Sequence, residues 1–170
     1  MKQIAALFFI ALSFAACKKT TIPAVDNSKP LTERIPGEWR ITAVDYTGVI
    51  VNPNNPNLSI PISGSGQNVT GFFKFVSNPN EGDFSVSFLA SINIGTSQPL
   101  TVPVSESHDG EWSVNADNNI VTMWRNDSIY DWKVLENLEN QQQWQARFYL
   151  DFGAPYDSVP VNVKATMTRK

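Results

Sequence analysis

Few side chains in this sequence are suited to catalysis. His108 is the only histidine and Cys17 the only cysteine in the 170-residue chain. Zinc sites normally use several His or Cys ligands, so we expect no metal site. A Gly-x-Ser-x-Gly nucleophile elbow is missing, and we interpret Gly64-Ser65-Gly66 as a flexible loop. We therefore predict that His108 is an ordinary loop residue, that the chain is not an enzyme and that it uses no cofactor.

The charged residues indicate no particular partner. The net charge is -3 at pH 7, and acidic and basic residues are interspersed along the chain. This balance lacks the basic patch of nucleic-acid-binding proteins, so we expect no nucleic-acid partner. Glu106, Glu111 and Asp131 are candidate acids, but their separation in sequence does not identify the paired carboxylates of a glycosidase.

Four of the five tryptophans lie in the second half of the chain, and together with the tyrosines and phenylalanines near them they allow two interpretations. One is a pocket for an apolar or sugar ligand, because such pockets are lined mainly by hydrophobic and aromatic side chains. The other, simpler interpretation is core packing. Trp124 lies in a stretch, Ile120–Trp124, that is apolar on both faces, so one face is expected to contact a ligand or a partner. The candidate pocket residues are Trp112, Trp124, Tyr130, Trp132, Trp144 and Phe148.

The first residues form a targeting segment that is set apart from the fold. The apolar run from Ile4 to Ala16 is too short for a membrane-spanning helix of about 20 residues. It ends in small residues directly before Cys17, and this resembles the lipobox of a bacterial lipoprotein signal. The resemblance implies that Cys17 carries the lipid, such as palmitate, and anchors the protein in a membrane. We assign 1–16 to the signal peptide and 17–34 to the lipidated cysteine and a flexible tether.

From residue 35 onward, apolar and polar residues alternate as in β-strands. Trp39, Ile41 and Ala43 share one predicted face of the first strand, and the clearest pattern is the run of apolar even positions from Phe84 to Ile94. We predict eight or nine antiparallel strands closed into a barrel, because closure removes exposed strand edges. Alternation alone is also compatible with an immunoglobulin-like sandwich.

The segment Val49–Asn68 is predicted to be a long connection after the first strand. It contains repeated Asn-Pro pairs and several glycines, which are typical of turns. Connections of this length are usually functional lids or disordered segments, and both alternatives apply to this one.

Several stretches resemble the lipocalin-like lipoproteins of Bacteroidetes. In lipocalins, a Gly-x-Trp on the first strand meets a basic residue on the last strand and closes one end of the barrel. The resemblance implies these roles for Gly37, Trp39 and Arg169, with a cation–π contact between the last two. The matching stretches are Gly37-Glu38-Trp39, Gly110-Glu111-Trp112 with Ile120–Met123, Tyr130–Leu135 with Phe148–Leu150, and Ala165–Arg169.

The same resemblance implies a function. It predicts a barrel domain over residues 35–170, held at the outer membrane, that binds a small hydrophobic ligand without catalysis. The alternative is a structural or interaction module of a cell-envelope complex, with an envelope protein as partner. The apolar strand around Trp124 is the reason for this alternative.

Two short motifs resemble O-glycosylation sites of Bacteroidetes. In Asp127-Ser128-Ile129 and Asp157-Ser158-Val159, a serine lies between an aspartate and an apolar residue. The resemblance makes Ser128 and Ser158 candidate glycan acceptors.

Overall fold

The computed structural model describes residues 29–52, 55–93, 98–151 and 158–170. The predicted signal peptide, Cys17 and the tether up to residue 28 lie outside the described residues.

Within these ranges the chain forms one short helix and nine β-strands, all of whose pairings are antiparallel. Helix α1 spans Leu31–Arg34. The strands are β1 (Gly37–Asn52), β2 (Asn55–Ser65), β3 (Gln67–Val76), β4 (Glu81–Ile92), β5 (Leu100–Val114), β6 (Ile120–Arg125), β7 (Ser128–Asn137), β8 (Gln141–Leu150) and β9 (Val159–Arg169).

The strands form a single sheet that closes on itself. From β3 to β9 each strand pairs with the next, and β1 pairs with both β3 and β9. The β1–β9 ladder places Trp39 opposite Arg169 and Gly48 opposite Val161. This closure confirms the predicted all-β, closed antiparallel barrel of eight or nine strands. The alternative of an immunoglobulin-like sandwich is wrong, because a sandwich needs two separate sheets.

Alternation divides the strands into an inner and an outer face. On β4, every even position from Gly82 to Ile92 is buried, as the sequence pattern predicts. Each large aliphatic or aromatic side chain buried in this way stabilises the fold by about 1.5 to 3 kcal/mol. Ile94, the last residue of the predicted run, lies outside the described residues.

Strand β1 departs from strict alternation near its start. Its register with β9 shifts between Ile41 and Ala43, which is the signature of a β-bulge. The extra residue turns Ala43 outward and brings Val44 into the core. The prediction that Ala43 shares the buried face of Trp39 is therefore wrong.

The segment predicted as a long loop is mainly strand. Strand β1 continues to Asn52, and β2 returns beside it with Ile50 opposite Ile60. Pro61 fits because β2 pairs only with β1 among the described strands, and proline is tolerated on an edge strand. The lid and disorder interpretations are both corrected for the described part of this segment.

Helix α1 and Ile35 seal one end of the barrel, which we call the closed end. Leu31 and Ile35 are fully buried there. Arg34 is also buried, and its Nη1 donates a hydrogen bond to the backbone carbonyl of Asn137 at 2.7 Å. Residues 31–34 therefore pack against the barrel, in contrast to the flexible tether predicted for them. The opposite end, where β1, β4 and β8 finish, is called the far end.

Candidate ligand-binding cleft

The residues predicted to close the barrel meet at the closed end. The guanidinium carbon of Arg169 lies 4.6 Å from the centre of the Trp39 ring. Trp39 Nε1 donates a hydrogen bond to the carbonyl of Ile35 at 2.9 Å, and Arg169 donates one to the carbonyl of Arg34. Gly37 has a φ of +126°, and a Cβ there would lie only 3.2 Å from the Arg169 guanidinium. This set fastens the first strand to the last.

Four of the six candidate pocket residues belong to a packed aromatic core. Trp112, Trp132, Trp144 and Phe148 are all buried. Phe73 joins two of them, since its ring centre lies 4.9 Å from that of Trp132 and 5.2 Å from that of Trp144. These edge-on contacts fill the barrel near the closed end and leave no room there for a ligand between those rings.

A cleft opens higher in the barrel wall, between β7 and β8. The two strands pair from Lys133 to Asn137 on β7 and from Gln142 to Gln145 on β8. Among the described residues, no ladder pairs join Ser128–Trp132 to Ala146–Leu150, so the strands separate towards the far end. We call the resulting space of about 420 Å³ the lateral cleft.

The lateral cleft combines inward-facing and outward-facing side chains. Glu106, Tyr130, Ala146 and Phe148 face the barrel interior, as their positions in the strand alternation require. The rim carries exposed apolar side chains as well as charged ones. The rim residues are Ser128, Ile129, Asp131, Arg147 and Tyr149. The arrangement provides a surface cleft with exposed apolar and charged groups at its rim and polar groups at its inner wall.

A polar cluster of Glu106, Tyr130 and His108 lies beside the cleft. The Tyr130 hydroxyl donates a hydrogen bond to Glu106 Oε2 at 3.2 Å, and the Tyr130 ring centre lies 4.9 Å from that of His108. Burial raises the pKa of Tyr130, and the neighbouring Glu106 carboxylate raises it further through its charge and its hydrogen bond. The phenol therefore keeps its proton at neutral pH.

His108 is not the loop residue that the sequence analysis predicts. It lies on β5, which runs unbroken from Leu100 to Val114, and its side chain faces inward and is half-buried. The even positions of β5 include buried Val104 and Trp112, so Glu106 and His108 fall on the inner face. The alternation of even and odd positions could have predicted that His108 faces inward. The interpretation of this segment as a loop left that alternation unused.

Trp124 faces away from the barrel interior, into a groove on the outer surface. This groove of about 630 Å³ crosses β3 to β6, and Trp124 is half-buried in it. Glu111 lies directly opposite Trp124 in the β5–β6 ladder, and Arg125 forms an ion pair with Asp109 nearby. Trp124 and Tyr130 are therefore on opposite faces of the sheet and belong to different sites.

The candidate modification sites lie at the surface where the structure describes them. Ser128 and Ser158 are both exposed. Ser128 begins β7 at the rim of the lateral cleft. Asp157 of the second motif and Cys17 lie outside the described residues.

The described ranges contain no group of three or more His, Cys, Asp or Glu side chains arranged to hold a metal ion. Within the same ranges, no helix has the length and apolar character required to cross a bilayer.

Comparison with known proteins yields one distant structural likeness among the solved structures. No family model matches the chain. No curated protein matches it either. Among solved structures, it is similar to that of the S-type phycobiliprotein lyase CPES from Guillardia theta, with 10% sequence identity and a TM-score of 0.37. The match covers 84% of this chain and 93% of that chain.

This comparison contradicts the prediction that the chain is not an enzyme, because the matching structure is named a lyase. That prediction depended on the lack of familiar catalytic motifs, and a fold alone does not decide activity. At 10% identity and a TM-score of 0.37, the likeness carries neither lyase activity nor a ligand over to this chain.

Proposed function

We propose that this protein is an envelope lipoprotein whose barrel binds a small, largely apolar ligand in the lateral cleft. The observation that carries the proposal is the separation of β7 from β8 beside inward-facing Tyr130, Ala146 and Phe148. The cleft volume of about 420 Å³ falls in the range of about 300 to 1,000 Å³ that is usual for small-molecule sites.

The chemistry of the cleft favours a ligand that is mainly apolar with one polar end. Ile129 and Tyr149 at the rim are 65% and 59% exposed and offer apolar contact. Glu106 and the Tyr130 hydroxyl lie on the inner wall, where each can exchange its mutual hydrogen bond for one to a ligand. A ligand made only of hydrocarbon would leave this mutual hydrogen bond unchanged, whereas a polar end can replace it.

Ligand binding is tested by native mass spectrometry of the full chain expressed in its own host. We expect a co-purifying small molecule with the wild type and its loss in Ala146→Trp, because Ala146 is buried in the cleft wall. Ala43→Trp is the matched control, since Ala43 is exposed on the outer face of β1. Ala146→Leu, a smaller change, keeps the test valid if the tryptophan variant does not fold.

Retention of the same molecule by all four proteins would contradict binding in the cleft. A wild type without any co-purifying molecule would contradict the binding function itself.

The envelope location is supported by the resemblance of the residues before Cys17 to a lipobox. We expect an alkyne-bearing palmitate analogue, fed to the host, to label the wild type and to leave Cys17→Ser unlabelled. We also expect cell fractionation to recover the labelled protein with the outer membrane. Equal labelling of both proteins would disprove attachment at Cys17.

The second candidate function is an interaction module of an envelope complex. It is favoured by the outer groove, where Trp124 is only half-buried, and by Ile129, its 65% exposed ladder neighbour at the rim of the lateral cleft. Cross-linking in intact cells is expected to recover one specific envelope protein with the wild type and not with Trp124→Ala. Recovery of no specific neighbour would remove this candidate.

A further inference from the structure

One row of side chains crosses the outer groove from β3 to β6. Its members lie directly opposite one another in successive ladders, and all of them line the groove. They are Val76, Glu81, Glu111 and Trp124. The two glutamates, which we call the glutamate pair, are therefore cross-strand neighbours with an apolar side chain on either side. Like charges directly opposite each other destabilise a sheet, so this pair costs stability unless a cation lies near it.

The charges of the neighbouring row are compensated within the chain. Asp83 and Asp109 are also opposite each other, but Asp83 faces Lys74 in the β3–β4 ladder and Asp109 forms an ion pair with Arg125. In the part of the chain that the structure describes, no ion pair joins either member of the glutamate pair to a cation. The groove lining holds four carboxylates and two cations, so its excess negative charge lies at the glutamate pair.

The two ends of the first row offer apolar surface at a defined spacing. Val76 is 45% exposed, and Trp124 is half-buried. They lie on the first and last of four neighbouring strands, which places them about 14 Å apart at the usual spacing of about 4.8 Å between strands. An extended chain covers about 13 Å in four residues and turns every second side chain to the same face. An apolar residue, a cation two positions later and an apolar residue two positions after that therefore match the row.

We propose that the outer groove binds a partner protein through an extended segment of this pattern, whose Lys or Arg side chain lies between Glu81 and Glu111. The cation offsets the two carboxylates, and the apolar side chains beside it cover Val76 and Trp124. The inference rests on the second candidate function and specifies the chemistry of the partner for that surface.

Two acetylated and amidated pentapeptides test this chemistry. One is Leu-Ser-Arg-Ser-Leu, and the other replaces the arginine by citrulline, which has nearly the same shape and no charge. Titrations of the full chain are followed by NMR through the indole N–H signal of Trp124. We expect the wild type to bind the arginine peptide about three- to tenfold more tightly than the citrulline peptide at low salt. The ratio falls as salt is added, because exposed charges are then screened.

The groove variant combines Glu81→Gln with Glu111→Gln. Both glutamates are exposed, so the variant is expected to fold, and it should bind the two peptides with equal affinity. The control variant combines Glu33→Gln with Glu139→Gln. It changes the net charge by the same amount at exposed positions outside the groove, and it is expected to keep the preference for arginine.

The same variants are compared by cross-linking in intact cells. We expect the specific neighbour that is lost in Trp124→Ala to be reduced about threefold or more in the groove variant, and to be retained in the control variant. A neighbour that is lost in Trp124→Ala and kept in the groove variant would overturn the basic segment and leave the interaction function in place. Recovery of no specific neighbour by the wild type would count against the interaction function itself.

The peptide titrations decide the inference independently of the cells. Equal binding of the two peptides by the wild type, or binding of neither, overturns it. A preference for arginine that persists in the groove variant overturns it as well. Methylguanidinium is the third probe, and binding as tight as that of the arginine peptide would show a site for a free cation in place of a partner segment.

Discussion

At the closed end, Trp39 combines complete burial with a hydrogen bond to Ile35 and a cation above its ring. Replacement by alanine removes all three contributions at once. We expect Trp39→Ala to lower the free energy of unfolding by about 3 to 5 kcal/mol, the usual cost of deleting a large buried aromatic side chain. Urea denaturation measures this loss. Trp124→Ala, at a half-buried outer position, serves as the control and is expected to have a smaller effect. An unchanged urea midpoint for Trp39→Ala would show that Trp39 contributes little to the stability of the barrel.

Tyr130 is expected to make the folded state less stable at alkaline pH. Its pKa is raised by burial and by Glu106, so the folded state holds the phenol proton more tightly than the unfolded chain does, where the pKa is about 10. The contribution of this group is therefore fully present below about pH 10 and is lost as the pH rises through the higher folded value.

We expect the wild type to lose more stability than Tyr130→Phe between pH 9 and pH 11 (about one unit on either side of the unfolded pKa). Guanidinium denaturation at three pH values across that interval measures the difference. Parallel pH profiles for the two proteins would show that Tyr130 does not titrate differently in the folded state.

At the scale of elements, the β5–β6 junction depends on a glycine. A Cβ on Gly110 would lie 2.2 Å from the backbone carbonyl oxygen of Trp124, so the two strands approach too closely for any side chain there. We expect Gly110→Ala to cost about 1 to 3 kcal/mol, as overpacking usually does. Hydrogen exchange of β6 amides should increase in this variant. Ser113→Ala, an exposed change on the same strand, is the control, and equal effects of the two would contradict the close approach.

The alternation of residues was sufficient to predict most of the strands and the closed barrel. Strand β4 shows why, since every even position from Gly82 to Ile92 faces the core. The bulge before Ala43 could not be predicted, because one extra residue inverts the alternation without leaving a local sequence signal. The β1–β2 hairpin was missed because Asn-Pro pairs are typical of turns, and only its edge position makes Pro61 acceptable.

The lateral cleft could be predicted only in part. Tyr130 and Phe148 were among the candidate pocket residues, whereas Glu106 was considered only as an isolated acid. The cleft itself results from β7 and β8 pairing over only part of their lengths, which depends on the register of the whole ring. No local pattern in either strand specifies where their pairing stops.

At the scale of the whole molecule, the last three residues complete the ring. Thr168 lies opposite Arg40, Arg169 opposite Trp39, and Lys170 donates its backbone N–H to the carbonyl of Glu38 at 3.0 Å. We expect deletion of residues 168–170 to lower stability by about 2 to 4 kcal/mol, through lost backbone bonds and the lost cation–π contact.

Deletion of Lys170 alone is the control for this truncation. Its ammonium pairs with the Glu38 carboxylate at 2.7 Å, and both side chains are largely exposed, so the pair contributes at most about 1 kcal/mol. Differential scanning calorimetry compares the two proteins with the wild type. Identical melting temperatures for the two deletions would show that ring closure at Arg169 contributes little.

The contacts of Arg169 with Arg34 and of Lys170 with Glu38 show that the chain begins and ends the barrel at the same end, the closed end. A membrane tether of the kind proposed for the segment before Pro30 would thus attach the barrel to the membrane through its closed end. The ends of β1, β4 and β8 would then lie farthest from the bilayer. The lateral cleft between β7 and β8 would face parallel to the membrane plane. In that orientation a ligand reaches the lateral cleft without rotation of the barrel or its release from the membrane.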